Sequence, residues 1–174
     1  LFYALSLLDS DDSFNIIGFD NIVTPMSDKP LIASDFNLRR AERFIYSLEA
    51  DGGTEIQGAL NAVLDGSQFD GFVRQVVFLT DGSVSNEDAL FKNIQSKLGD
   101  SRLFTVGIGS APNSFFMRRA ADVGKGSFTF IGSVSEVQPK MQQLFDKLAH
   151  PAITNLALSD ESGNSLDFLA ITTT

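Results

Sequence analysis

Two stretches of the chain hold side chains that could do chemistry. "DGGTEIQGAL", residues 51–60, places Thr54 behind two adjacent glycines and ahead of a helix start. "VVFLTDGSVSN", residues 76–86, places Asp81 just beyond four consecutive apolar residues. A threonine hydroxyl and an aspartate carboxylate are both hard oxygen donors. Mg²⁺ takes about six such oxygens in an octahedron, few of them from protein carboxylates and the rest from water or a partner. Gly52 and Gly53 give the first loop room to approach, and Gly82, with Ser83 after it, turns the chain sharply away from Asp81. Taken alone, each residue also has a plainer reading. Thr54 is placed to cap the helix it precedes, and Asp81 to close an Asx turn in a loop.

The elements that must position these residues alternate. "FNIIGF", residues 14–19, is a short apolar strand, and "IVTPMS" with Pro25 suits an edge strand. Helical spacing follows in "DFNLRRAERFIYSL", where Leu38, Ala41, Phe44, Ile45 and Leu48 share a face, and in "EIQGALNAVL", where Ile56, Leu60 and Leu64 do. The apolar run in "RQVVFLT" predicts a strand covered on both faces, as in a parallel sheet. "NEDALFKNIQSKL" is helix, with Ser85 as its cap. "RLFTVGI" is strand, "NSFFMRRAADV" helix and "SFTFI" strand. "SEVQPKMQQLFDKLA" is a helix with Val137, Met141, Leu144 and Leu148 as its stripe and Pro139 in its first turn. Strand and helix in turn predict an α/β fold, an open and mainly parallel sheet with helices on both faces. Past His150-Pro151 the texture changes. "ITNLALSD" and "LDFLAITT" around "ESGN" predict a β-hairpin, so residues 1–150 form one domain and 151–174 begin a β-rich segment.

In an open α/β sheet, ligands bind outside the carboxyl ends of the strands, where strand order reverses. Asp81 falls at that edge, and this context joins it to Thr54 as a cation pair.

Composition narrows the function classes. The 174 residues are 43% apolar and 20% charged, with a net charge of −9, which argues against a nucleic-acid partner. The absence of cysteine excludes a thiolate metal site and a disulfide framework. No apolar run approaches the roughly 20 residues that span a bilayer, so nothing here predicts membrane insertion.

Enzyme motifs do not stand up. "GIGSAP" opens like a dinucleotide fingerprint, but Pro112 occupies the position of its third glycine, and "GKG" at 124–126 precedes a strand rather than a helix. No G-x-S-x-G elbow is present, and the single histidine, His150, lies at the domain boundary. "DSDDS", residues 9–13, lacks the glycine and distal glutamate of a calcium loop and reads as a solvated turn. Arg118-Arg119 is too isolated for a polyanion site. The sixteen phenylalanines read as core.

The order "FNIIGF", "GGTEI", "VVFLTDG", "LFTVGIG", an amphipathic helix and "GKGSFTFI" resembles the von Willebrand factor type A domain over residues 1 to about 150. Within that family it is most similar to the A domains of inter-alpha-trypsin inhibitor heavy chains and of bacterial envelope proteins that pair a VIT domain with this domain and carry a sortase signal. The resemblance implies a metal-ion-dependent adhesion site, in which Mg²⁺ (or Mn²⁺ or Ca²⁺) is held by an Asp-x-Ser-x-Ser loop, a threonine and an aspartate. Thr54 and Asp81 match the last two, with Gly52, Gly53, Gly82 and Ser83 at the rim. It implies a non-enzymatic module, extracellular or at the cell envelope, whose cation binds an acidic group of a protein partner. The competing classes are a scaffold with a vestigial metal site and a hydrolase using Asp81 and a bound cation.

The Asp-x-Ser-x-Ser loop has no counterpart in the 174 residues, and "LFYALSLL" reads as the end of a helix, closing at Leu8, whose start lies upstream. The expectation is a domain truncated before its first strand, which the family places between the strands matching "FNIIGF" and "RQVVFLT". That place would be filled by upstream residues or by "LDFLAITT", and donation from a second molecule would give a swapped dimer.

Overall fold

The computed structural model describes residues 1–49, 53–65, 71–81, 86–109 and 113–149. The chain opens with the short helix α1 (Phe2–Ser6), which stops two residues before the expected Leu8. Four short strands follow: β1 (Ser13–Phe14), β2 (Ile17–Phe19), β3 (Val23–Pro25) and β4 (Leu31–Ile32). β1 pairs antiparallel with β4, and β2 with β3 in the register Ile17↔Pro25 to Phe19↔Val23. "FNIIGF" is therefore two strands, not one. Asn15 divides them, because its side chain accepts the Ile16 N–H at 2.9 Å and donates to the Ser27 carbonyl at 2.7 Å, bonds that stand in for ladder pairing.

Helix α2 (Asp35–Ser47) is capped by Ser34, and α3 (Ile56–Val63) follows. The remainder is a continuous βαβαβα run: β5 (Gln75–Thr80), α4 (Glu87–Lys97), β6 (Arg102–Ile108), α5 (Ser114–Val123), β7 (Phe128–Ile131) and α6 (Val134–Leu148). β5, β6 and β7 form a parallel sheet in that order, with Val76 opposite Leu103 and Val106 opposite Thr129.

Side chains alternate across this sheet and feed two cores. On one face Phe78 and Leu103 pack with Ile56 and Leu60 of α3, Leu90, Phe91 and Ile94 of α4, and Phe116 and Met117 of α5. On the other, Val106 and Ile131 pack with Met141, Leu144 and Phe145 of α6, and Val77 and Leu79 join them. Helices thus cover both faces, as a run of consecutive apolar strand residues requires. A third cluster joins Leu5 of α1, Met26 and Ala41 of α2.

Several local expectations differ. Val137 stands 39% exposed, so the buried stripe of α6 begins at Met141. Because α6 starts at Val134, Pro139 falls in its second turn rather than its first. The residue preceding α4 is Asn86, in the left-handed region at φ 59°, while Ser85 lies outside the described residues. The phenylalanines divide. Phe78, Phe91, Phe116 and Phe145 are buried, but Phe36, Phe72 and Phe115 are exposed. Arg118 and Arg119 are taken up individually, their guanidiniums lying over the rings of Phe128 at 5.6 Å and Phe91 at 4.4 Å. "GKG" is the turn between α5 and β7, with Lys125 at φ 55° and Gly126 packed so closely on the Leu103 carbonyl that a Cβ there would collide with it. The hairpin expected in 151–174 lies outside the described residues.

Candidate functional site

Thr54 lies immediately before α3 but does not cap it. The N-cap is Glu55, whose carboxylate accepts the Gly58 N–H at 3.0 Å. The helix-cap reading of Thr54 therefore fails, because an acidic side chain one residue later already satisfies that end of the helix. The backbone on either side of Thr54 is tied to the turn between β2 and β3. The Gly53 N–H donates to Asn21 Oδ1 at 2.8 Å, and the Glu55 N–H donates to the Asp20 carbonyl at 2.7 Å. The Asp20 carboxylate is itself engaged, accepting the Ile22 N–H at 2.8 Å.

Asp81 follows Thr80, the last residue of β5, and is exposed. Its relation to Thr54 comes from α3. The helix packs on Phe78, and its far end lies beside the start of β5, where Arg74 donates to the Val63 carbonyl at 3.0 Å and pairs with Asp65 at 2.7 Å. With its last turn at the amino end of β5, α3 runs against the strand, so its first residues point toward the carboxyl end. Thr54 and Asp81 consequently stand at the same edge of the sheet. Thr54 is exposed, and among the described residues neither its hydroxyl nor the Asp81 carboxylate takes part in a hydrogen bond or ion pair.

At the same edge, the starts of α4 and α5 are joined by side chains. Asn113 Nδ2 donates to Glu87 Oε1 at 2.5 Å, while Asn113 Oδ1 accepts the Phe116 N–H at 3.0 Å and caps α5. Glu87 opens α4, so this contact connects the start of α4 with the start of α5. Of the expected rim residues, Gly53 is placed at Asn21. Gly52, Gly82 and Ser83 lie outside the described residues. Asn21, Glu87 and Asn113 escaped the sequence reading. Their signal was present only as Asn and Glu at a turn and at helix starts, positions where such residues are ordinary.

Thr54 and Asp81 suit a divalent cation in chemistry, being hard oxygen donors with unengaged lone pairs. They do not suit it in number. No group of three or more His, Cys, Asp or Glu side chains converges among the described residues, and two donors are well short of the about six that Mg²⁺ requires. The residues present fit one part of a cation site.

Comparison with known proteins agrees with this architecture. The family model described as von Willebrand factor type A domain matches residues 1–130. A von Willebrand factor A domain-containing protein of Dictyostelium discoideum is 28% identical over 150 residues, covering 86% of this chain and 16% of its own length. Mouse von Willebrand factor A domain-containing protein 5B1 is 30% identical over 146 residues, covering 83% of this chain and 12% of its own. The chain thus spans less than a fifth of the length of these two relatives. Among solved structures, a von Willebrand factor type A protein from Catenulispora acidiphila superposes with a TM-score of 0.72 at 20% identity, over 85% of this chain and 35% of that one. The chain belongs to the von Willebrand factor type A domain family, whose members generally mediate protein–protein interaction, often with a metal ion, and are generally not enzymes.

Proposed function

We propose that this domain is a divalent-cation-dependent protein-binding module of a cell-envelope or extracellular protein, with Thr54 and Asp81 as two of its metal ligands. The observation that carries the reading is that both side chains stand at the carboxyl edge of the sheet without a partner among the described residues. Side chains left unengaged at the ligand-binding edge of an α/β sheet are candidates for an external ligand. A bound Mg²⁺, Mn²⁺ or Ca²⁺ would offer an open coordination position to an acidic group of the partner. Thr54 would direct a hydroxyl oxygen and Asp81 a carboxylate oxygen at the same ion.

The remaining ligands belong, on this reading, to an upstream Asp-x-Ser-x-Ser segment whose strand lies between β2 and β5. In support, the β2–β3 hairpin and the β5–β6–β7 sheet share no backbone pairing among the described residues. That leaves an edge on β5 and an edge on β2, a pattern that invites an added strand or self-association. The similarity to heavy-chain and VIT-containing proteins is part of the same proposal. A scaffold module with a vestigial metal site is the second reading, favoured by the lack of a group of three or more His, Cys, Asp or Glu side chains among the described residues.

Manganese titration of the 174-residue chain and of the full-length protein tests the proposal. The shorter chain should bind Mn²⁺ no tighter than about millimolar, because two donors gain little over water. The full-length protein should bind more tightly and lose that binding in Asp81→Ala and in Thr54→Ala with its circular dichroism unchanged. Full-length binding that survives both substitutions would sink the assignment. Equally weak binding by both chains would favour the scaffold.

A further inference from the structure

We infer that Asn21 is the positioning residue of the site, fixing the loop that presents Thr54; the inference rests on the ligand role proposed for Thr54. Asn21 sits in the turn between β2 and β3, 32 residues before its partner, and its Oδ1 accepts the Gly53 N–H at 2.8 Å. The preceding residue completes the grip, since the Asp20 carbonyl takes the Glu55 N–H at 2.7 Å. These two bonds bracket Thr54, on the amide before it and the amide after it. The backbone that carries its side chain is therefore held by a hairpin turn.

Two further details fit a built contact. A Cβ at Gly53 would come within 2.6 Å of Asn21 Oδ1, so the glycine leaves the space that the asparagine oxygen occupies. The turn itself is shaped from within, because Asp20 Oδ1 accepts the Ile22 N–H at 2.8 Å and holds the Asp20 carbonyl toward Glu55. Residues 53–55, ahead of α3, belong to no strand and have no ladder to order them. Without the Asn21 oxygen, the Gly53 amide turns to water and Thr54 samples orientations that miss the ion.

The contact makes a distinct demand on residue 21. It needs an acceptor of asparagine length, and charge is secondary, so Asn21→Asp retains the bond while Asn21→Ala and Asn21→Leu abolish it. Residues that orient a ligand typically change metal affinity 10- to 100-fold when removed. The test is Mn²⁺ titration of the full-length protein, read together with hydrogen–deuterium exchange of the 53–55 segment and with the thermal midpoint.

Asn21→Ala and Asn21→Leu should raise the Mn²⁺ dissociation constant roughly tenfold or more. They should also speed exchange at Gly53 and leave the thermal midpoint near that of the parent. Asn21→Asp should restore slow exchange and an affinity within a few-fold of the parent. Thr54→Ala in the same series separates the two claims. If Thr54→Ala weakens Mn²⁺ binding but Asn21→Ala and Asn21→Leu do not, the positioning role is wrong and the ligand assignment stands. If Thr54→Ala has no effect, the ligand assignment fails and the positioning role falls with it.

Discussion

Phe19 of β2 lies against Phe78 of β5 with ring centroids 5.3 Å apart and planes 12° from parallel, although the strands that carry them belong to sheets with no backbone pairing between them among the described residues. Among the described residues side chains, not a ladder, join the antiparallel hairpin to the parallel sheet, and α3 packs against both. The hairpin holds the Asp20-Asn21 turn and the sheet holds Asp81, so this aromatic contact relates the two halves of the candidate site.

Phe78→Ala should therefore destabilise the domain by about 3–5 kcal/mol, the usual cost of emptying a buried aromatic position. Phe19→Ala should cost less, because Phe19 is only half-buried. A double-mutant cycle in urea unfolding should return a coupling of roughly 0.5–1.5 kcal/mol between the rings. Strict additivity would show that the two rings pack independently and that something else holds the hairpin in place.

Much of this organisation was legible in the sequence because burial is periodic. In α3 every expected contact residue, Ile56, Leu60 and Leu64, is in the core, and the consecutive apolar residues of β5 announced cover on both faces. What escaped reading was set by single polar side chains. Nothing in "FNIIGF" distinguishes Asn15 as a strand breaker until its amide meets Ser27. Glu55 displaces Thr54 as the cap because its longer side chain can fold back to the Gly58 N–H. Val137 has helical spacing but lies beyond the part of α6 that the sheet covers. The pair Asn21 and Gly53 is a contact between distant turns, and periodicity carries no information about such pairs.

Gly126 offers a sharp check on the packing between β6 and the turn that follows α5. A methyl group there would collide with the Leu103 carbonyl, and because the obstacle is backbone, no side chain can swing aside. Gly126→Ala should lower stability by at least about 1–3 kcal/mol, the cost of overpacking, and the thermal midpoint should fall accordingly. An unchanged midpoint would mean that the turn approaches β6 less closely than described.

Glu136 gives the domain an acid-sensitive element. Its carboxylate accepts the Gly132 N–H at 2.8 Å and, secondarily, Lys140 Nζ at 3.1 Å, and these hold its pKa below the ordinary 4.5. A carboxyl whose folded-state value lies below its unfolded value contributes stability above the unfolded value and loses it as pH falls through the folded one. The gap in stability between the parent and Glu136→Gln should thus be largest near neutrality and close as pH drops below about 4.5. Chemical unfolding at a series of pH values measures it. A gap that stays constant with pH would assign the contact to hydrogen bonding without a role for charge.

The course of α6 has a mechanical consequence. The helix starts beside the carboxyl end of β7, where Lys140 reaches back to the Phe130 carbonyl at 2.6 Å, and its fifteen residues end at Leu148, whose carbonyl accepts Gln75 Nε2 at 3.0 Å. Gln75 is the first residue of β5, so the chain passes residue 149 at the edge of the sheet opposite Asp81. Tension applied by anything gripped at Asp81 and resisted through residue 149 would be directed along the strands. The β5–β6–β7 ladder would then be loaded in shear, with its hydrogen bonds sharing the force, instead of being peeled open one bond at a time.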